Sequence, residues 1–246
     1  MTLPTEQHQR GPDAEASRLS RSEKRLPPLL SVIAGMVDLT GFLTLGNLFT
    51  AHITGNLVVI GALVVRGGRV NPAQILAVPV FILAVAAVWL FARASGKHGS
   101  SLLRLLLLAQ FLLLLLVWVF CVVTKPSTAP HAAMADIAAM MAVSAMACQF
   151  ALLRLSMPVV PSTAVMTGNL TNAVLSALNT FSGDKPSTST DVVRLKSSLF
   201  LLVGFFAGCV AAAVAVTYLA DWAWSFPAVL AGVAVAMREG EQRQGG

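Results

Sequence analysis

Residues 102–124 read LLRLLLLAQFLLLLLVWVFCVVT, a run interrupted only by Arg104 and Gln110 before Thr124 closes it. About 20 apolar residues suffice for a helix to cross a bilayer. This stretch passes that test. So do residues 73–92, with Pro79 inside, and residues 197–219. Segments of about residues 28–49 and 132–155 are long enough but rich in Gly, Ser, Thr and Met. Segments 51–65, 163–181 and 222–237 are shorter. The 246-residue chain is 56% hydrophobic and 11% charged. The 211 residues from Pro27 to Met237 hold only 15 charged side chains. A soluble fold of this size cannot cover its surface with so few. These numbers exclude a soluble enzyme, a nucleic-acid-binding domain and a disordered protein. They leave an all-α, polytopic integral membrane protein of six to eight transmembrane segments.

The net charge of +6 does not point to nucleic acid, because there is no basic helix and only one Tyr for an aromatic platform. Positive residues flank apolar segments, where orientation signals sit. Residues 1–27 read as a disordered cytoplasmic tail, residues 28–237 as one transmembrane domain, and residues 238–246 as a short C-terminal tail. Trp222 and Trp224 suit an interfacial belt. Gly204 and Gly208 form a GxxxG that permits close helix packing. Cys121, Cys148 and Cys209 lie far apart in apolar runs, with no metal spacing, and read as small buried residues. No cofactor or metal is expected.

Two stretches match. Residues 50–57 are Thr-Ala-His-Ile-Thr-Gly-Asn-Leu, and residues 163–170 are Thr-Ala-Val-Met-Thr-Gly-Asn-Leu. Each follows a segment rich in small and polar residues and opens a short apolar one. The order of flanking segments also agrees. This predicts a tandem internal repeat, residues 28–124 and 132–237, with discontinuous helices at the two Thr-Gly-Asn motifs. If the paired segments around each motif both span, the chain has eight spans and parallel repeats. If each pair makes one net crossing, it has six spans and inverted repeats. The distribution of Lys and Arg does not decide between them. Either count places both termini in the cytoplasm, in the cell (inner) membrane.

Gly35-Met-Val-Asp38, Gly46-Asn-Leu-Phe49-Thr-Ala-His-Ile-Thr54-Gly-Asn56 and, in the second half, Gln149 to Arg154 with Pro161-Ser-Thr-Ala-Val-Met-Thr167-Gly-Asn169 resemble the YoaK family of bacterial membrane proteins. The resemblance covers roughly residues 28–237. That family is a domain of unknown function, so the resemblance implies a polytopic inner-membrane protein and little about activity. Phe150 stands where the family pattern suggests Asn after Gln149.

The candidate substrate- or ion-binding residues are Asp38, His52, Thr54, Gly55, Asn56, Gln149, Arg154, Thr167, Gly168 and Asn169. Asp38 is a carboxylate in mid-segment, which costs several kcal/mol unless paired, solvated or protonated. It reads as a proton or cation site, or as a carboxyl hydrogen-bonded to a neighbouring helix. Arg154 is placed either to pair with Asp38 across the two halves or to mark a helix end. Gly55 and Gly168 permit a bend. Thr54, Thr167, Asn56 and Asn169 can cap the helices that follow. Interrupted helices in a membrane must turn their free backbone groups to protein or a wet cavity. The two motifs therefore either face a common polar site or serve packing alone. His52, replaced by Val165 in the second copy, reads as a hydrogen-bonded junction residue with a possible relay role beside Asp38. Gln149 lies two residues from the counterpart of Asp38. Asn172 is a further polar residue in an apolar segment, and Gln110 sits alone in its leucine-rich run.

No HExxH, GxSxG, Walker A or paired-carboxylate motif occurs, and no catalytic residue is expected. The expected function is a small secondary transporter with a polar site between its repeats, acting on an unidentified small molecule or ion with proton coupling. The alternative is a non-transporting, partner-binding or lipid-interacting component. The lipid bilayer is the expected partner in both, and nucleic acid in neither. Oligomeric state is left open.

Overall fold

The computed structural model describes residues 21–67, 71–97, 99–157, 162–163, 166–181 and 189–244. Eight α-helices form among the described residues: α1 (Arg21–Thr44), α2 (Ile53–Arg66), α3 (Pro72–Ser95), α4 (Gly99–Thr124), α5 (Ala133–Ser156), α6 (Met166–Phe181), α7 (Ser189–Leu219) and α8 (Ser225–Gln244). Two short 3₁₀ turns, Pro126–Thr128 and Ala220–Trp224, follow α4 and α7. Local chemistry sets several of these boundaries. The Asn71 side chain accepts from the Ala73 N–H at 3.0 Å, and Pro72 occupies the first position of α3. Gly67 and Gly96 close α2 and α3 in the left-handed conformation, at φ 74° and 61°. α3 continues unbroken through Pro79.

The direction of each helix follows from its contacts. The Ser31 hydroxyl donates to the Leu201 carbonyl at 2.6 Å, and the Cys209 thiol lies 3.5 Å from the Gly35 carbonyl, so α1 and α7 run parallel. We call the end where α1 begins the near end. Gly46, just past α1, meets the Asn71 amide and the Pro130 carbonyl, so α3 and α5 both start at the far end. Arg104 pairs with Glu239 at 2.8 Å, joining the start of α4 to the last turns of α8 at the near end. Asp221 accepts from the Ser127 amide at 3.1 Å and hydroxyl at 2.6 Å at the far end. Six helices (α1, α3, α4, α5, α7 and α8) thus connect the two ends. α2 lies between a helix that finishes at the far end and one that starts there. α6 lies between α5, which finishes at the near end, and α7, which starts there.

Burial sorts the layers. In the most apolar windows of α1 and α5, 67% and 72% of residues are buried, against 11% in α3. α1 packs on α7 and α8, α5 packs on α3 and α4, α4 also meets α8, and α1 meets α5. α2 lies on α3, and α6 lies on α7. The outside is apolar: Val58, Ile82, Val123, Phe206 and Tyr218 are all well exposed. Among the described residues five stretches are long and apolar enough to cross a membrane, and the last, the 48 residues of Val192–Glu239, covers most of α7 and of α8. An apolar surface over a core formed by the least apolar long helices suits lipid as solvent.

The contact of α1 with α7 depends on residues without side chains. A Cβ on Gly208 would meet the Val32 carbonyl, and one on Gly35 would meet the Phe205 carbonyl. A Cβ on Gly204 would lie 3.1 Å from the Pro28 carbonyl. The GxxxG of α7 therefore lets the two backbones touch.

Three sequence expectations change. α1 begins at Arg21, inside the stretch read as tail, because Leu26 is buried against the bundle. Residues 1–20 lie outside the described residues. α8 continues to Gln244, through most of the expected C-terminal tail, and Arg238 is buried there. Trp224 is fully buried and is no part of an interfacial belt, whereas Trp222 is exposed and lies edge-on to Trp118 at 6.0 Å.

Gly208→Ala is expected to lower stability by about 1–3 kcal/mol, the usual cost of overpacking against a backbone that cannot yield. Gly61→Ala, where an added Cβ meets nothing within 4 Å, should be neutral or stabilising. Thermal denaturation of the two variants in the same detergent compares them directly.

Candidate functional site

Between α1 and α2 the chain turns back into the bundle. Leu45, Leu48, Thr50 and Ala51 are buried, so this non-helical backbone must find its hydrogen bonds inside protein. Gly46 and Asn47, at φ 73° and 59°, make the reversal. The Leu45 N–H donates to the Gly41 carbonyl at 2.8 Å, and Asn47 N–H to the Phe42 carbonyl at 3.1 Å. Gln74 of α3 donates from Nε2 to the Asn47 carbonyl at 3.2 Å.

The descending strand of this loop ends on Asp38. Its Oδ1 accepts from the backbone N–H of Thr50 and Ala51, each at 2.8 Å, and of His52 at 3.3 Å. His52 Nδ1 lies 2.8 Å from Oδ2, and against an ionised carboxylate, which can only accept, Nδ1 is the donor. Asp38 is 5% exposed, whereas the His52 side chain is 32% exposed and edges onto Phe205 of α7, with ring centroids 4.9 Å apart. A carboxylate that accepts several N–H bonds in a dry site is held strongly. Here it also holds the start of α2 level with the inner part of α1. The hydroxyls of Thr40 and Thr50 are buried close by in sequence, with no hydrogen-bond partner among the described residues.

Asn56 completes the loop. Its Oδ1 accepts from the Phe49 N–H at 2.9 Å, and its Nδ2 donates to the Phe49 carbonyl at 2.8 Å. Asn169 Nδ2 donates to the Ser162 carbonyl at 2.9 Å. Both bonds reach back seven residues from the same place in their helices. Thr-Gly-Asn occupies residues two to four of α2 and of α6 alike. Gly55 is needed for packing, because a Cβ there would lie 2.9 Å from the Phe49 ring.

In the other half the polar residue is Gln149, seven residues from the end of α5 and fully buried. Its Nε2 donates to the Leu30 carbonyl of α1 at 2.9 Å and lies 3.4 Å from the Thr163 hydroxyl. Its Oε1 accepts from Gln110 Nε2 at 2.7 Å. Leu30 and Asp38 are eight residues apart on α1, so the two polar layers are about 12 Å apart in depth.

The structure thus brings together Asp38, His52 and Asn56 on one side and Gln149 and Asn169 on the other. It separates the rest. Arg154 is exposed in the last turn of α5 at the near end and does not pair with Asp38, whose partner is His52. Thr54, Thr167 and Asn172 are exposed. No side-chain cap forms at the start of α2, so Thr54 does not cap it. The Asn side chains grip the preceding loop instead. Gly168 is half-buried, and Val165 lies outside the described residues. Gln110 is not alone, because its amide meets Gln149. Its unbroken leucine context hid this, since only the packing of α4 on α5 reveals the partner. Cys121 and Cys148 are buried and unpaired. Among the described residues no group of three His, Cys, Asp or Glu could hold a metal.

Asp38→Asn should weaken the hydrogen bonds from the N–H groups of Thr50, Ala51 and His52, because a neutral amide oxygen accepts less strongly than a carboxylate. Amide exchange at these positions in detergent is expected to speed up by about tenfold or more, the equivalent of one charge-assisted hydrogen bond. Gln149→Leu strands the Gln110 amide and the Thr163 hydroxyl in the core and should destabilise by about 2–4 kcal/mol. Gln110→Leu removes an amide whose Oε1 is already unpartnered and should cost less. Chemical denaturation of the two variants ranks them.

Over 33 residues the chain is 54% identical to "UPF0700 transmembrane protein YoaK" of Bacillus subtilis (strain 168), a match spanning 13% of this chain and 15% of that protein. No solved structure matches. Residues 26–237 match the family described as "Protein of unknown function (DUF1275)". The chain is multi-pass and helical, and it belongs to the DUF1275 family.

Proposed function

We propose that this protein is a small secondary transporter of the inner membrane, built from two inverted copies of one unit, with both termini cytoplasmic. The observation that carries the proposal is a symmetry of packing. If α1 is exchanged with α5, α2 with α6, α3 with α7 and α4 with α8, the set of helix contacts maps onto itself. α1 on α7 becomes α5 on α3, α1 on α8 becomes α5 on α4, and α2 on α3 becomes α6 on α7. Within the pairs α1 and α5, α3 and α7, and α4 and α8, the exchanged helices run in opposite directions. Asp38 lies six residues from the far end of α1, and Gln149 lies seven from the near end of α5. Each stands beside a loop gripped by the Asn of a Thr-Gly-Asn motif. Inverted repeats with broken helices on either side of the midplane are the layout by which many transporters expose one site to each side in turn.

In this reading the Asp38–His52 pair is the coupling element. With Asp38 ionised, its carboxylate holds loop 45–52 closed through three backbone N–H groups. Protonation of Asp38 weakens those bonds and removes the charge that attracts His52. The loop is then free to move, and the hydroxyls of Thr40 and Thr50 become available to a passing polar group. His52 is the exposed member of the pair and the route by which a proton arrives. The second half carries the neutral Gln149 in place of a carboxylate, so only one of the two units responds to a proton.

One observation favours the alternative of a non-transporting component. Both carboxylate oxygens of Asp38 already have donors within the chain, as a purely structural clasp would. Proteoliposomes distinguish the two. A trapped pH dye should report proton movement when candidate solutes are added outside under an imposed pH gradient. Asp38→Asn should abolish that signal, and Gln110→Leu should keep it. Solute-driven proton flux that persists in Asp38→Asn would remove the coupling role. Absence of flux for any solute, with unchanged behaviour of Asn56→Ala and Asn169→Ala variants in cells, would favour the alternative.

A further inference from the structure

α3 ends and α4 begins at the near end, and beside that connection a groove of about 330 Å³ opens on the outer face of α4. It is lined by Lys97 of the connection and by Ser101, Arg104, Leu105 and Leu108 of α4. Lys97 separates two stretches that are each long and apolar enough to cross a membrane, Pro72–Ser95 and Gly99–Thr124, so it stands at the membrane surface. The helix then carries the lining inwards, and Leu108 lies about 10 Å deeper than Ser101. Leu112 and Leu116 continue the same face, since positions 101, 105, 108, 112 and 116 fall within about 80° of one another around the helix. Leu108, Leu112 and Leu116 are all well exposed. The groove is thus cationic and polar at the surface and leucine-lined below.

The groups that would select an occupant are open to the outside: Lys97, Ser101 and Arg104 are all exposed. Arg104 pairs with Glu239 of α8 at 2.8 Å, and both side chains remain about half exposed. That pair is neutral in sum and steadies the guanidinium at the mouth of the groove. Lys97 has no ion-pair partner among the described residues, so Lys97 and Arg104 against Glu239 leave one positive charge in excess. An occupant must match both parts of the lining. A soluble anion would satisfy the mouth and leave the leucines without hydrocarbon. A zwitterionic lipid would satisfy the leucines and bring a second cation up to Lys97. Basic clusters at a membrane surface attract acidic lipids. We propose that this groove holds an acidic phospholipid of the glycerol headgroup class. Its phosphate lies at Lys97, Ser101 and Arg104, and one acyl chain lies along Leu105, Leu108 and Leu112. The face from Ser101 to Leu116 is about 22 Å long, enough for one acyl chain in a leaflet of a core of about 30 Å. The proposal does not rest on the transport reading.

Native mass spectrometry of the full chain tests it. The protein is equilibrated in detergent with equal amounts of glycerol and choline phospholipids of identical acyl chains. The glycerol adduct should exceed the choline adduct by about fivefold or more, the worth of one basic residue at a membrane surface. Lys97→Gln, a change on an exposed connection, should bring the two towards parity. Lys196→Gln removes the same charge at the same end, but from α7, and should leave the preference intact. Glycerol phosphate, the headgroup without its chains, should give no lasting adduct. Equal lipid adducts on the wild type, or a preference unchanged in Lys97→Gln, would overturn the proposal. An equal loss in Lys196→Gln would also overturn it, because the attraction would then belong to the whole near end and not to the groove. So would a glycerol phosphate adduct as strong as that of the lipid, which would make a soluble phosphate the ligand. A lipid-free dimer that Lys97→Gln dissolves would place a second copy of the chain in the groove and remove the lipid from it.

Discussion

A backbone that leaves helical geometry inside a hydrocarbon layer must find its hydrogen bonds in protein, and Asp38 is where this chain finds them. One carboxylate oxygen accepts three consecutive N–H groups, and the other accepts from His52. Without an acceptor at that place, residues 50–52 would have three free donors in an apolar core, at roughly 1–3 kcal/mol each. The helix-breaking turn at Gly46 and Asn47, the start of α2 at Ile53 and the start of α3 back at the far end are all consistent with that attachment. The charge is tolerated because it is surrounded by donors. The donors are tolerated because they meet a charge.

The second half solves the same problem without a charge. Gln149 reaches the Thr163 hydroxyl and the Leu30 carbonyl, and it is steadied by Gln110 from α4. A neutral amide has both a donor and an acceptor end, so it ties three helices together where Asp38 ties a helix to a loop. Asn56 and Asn169 do matching work seven residues back from their motifs. In the proposed transporter, a carboxylate in one half and a neutral amide in the other would make the two halves differ in how they respond to protons.

How much of this could be read from the sequence differs from residue to residue. The apolar runs gave the spans, because their length is a direct requirement of bilayer thickness. The Thr-Gly-Asn motifs and Asp38 were visible because polar residues are rare there. Their roles were less visible. Asn56 and Asn169 share a hydroxyl-rich motif with Thr54 and Thr167, and nothing in the order of letters says that the amides turn inwards and the threonines outwards. Helical phase decides it: with the Asn inside, the Thr two residues earlier points some 200° away. The Gln110–Gln149 bond was hidden because it joins two helices whose contact only the fold defines. Pairing of Arg154 with Asp38 was attractive on charge alone, but depth forbids it, since one stands at the near end and the other towards the far end.

Depth also bears on the proposed arrangement of six crossings. α2 has 14 residues and spans about 21 Å, too short for a hydrocarbon core of about 30 Å. An eight-span arrangement would leave one of its ends in lipid with free backbone groups. Once the chain has reversed at Gly46, the acceptor that receives its amides is Asp38, already inside the bundle. The carboxylate of Asp38 fixes how far the chain descends, and the length of α2 carries it back to the side from which it came. In the proposed two-unit arrangement, inversion of the second half then follows from parity. A unit that makes three crossings delivers the chain to the opposite end, so a second copy of it must run the other way.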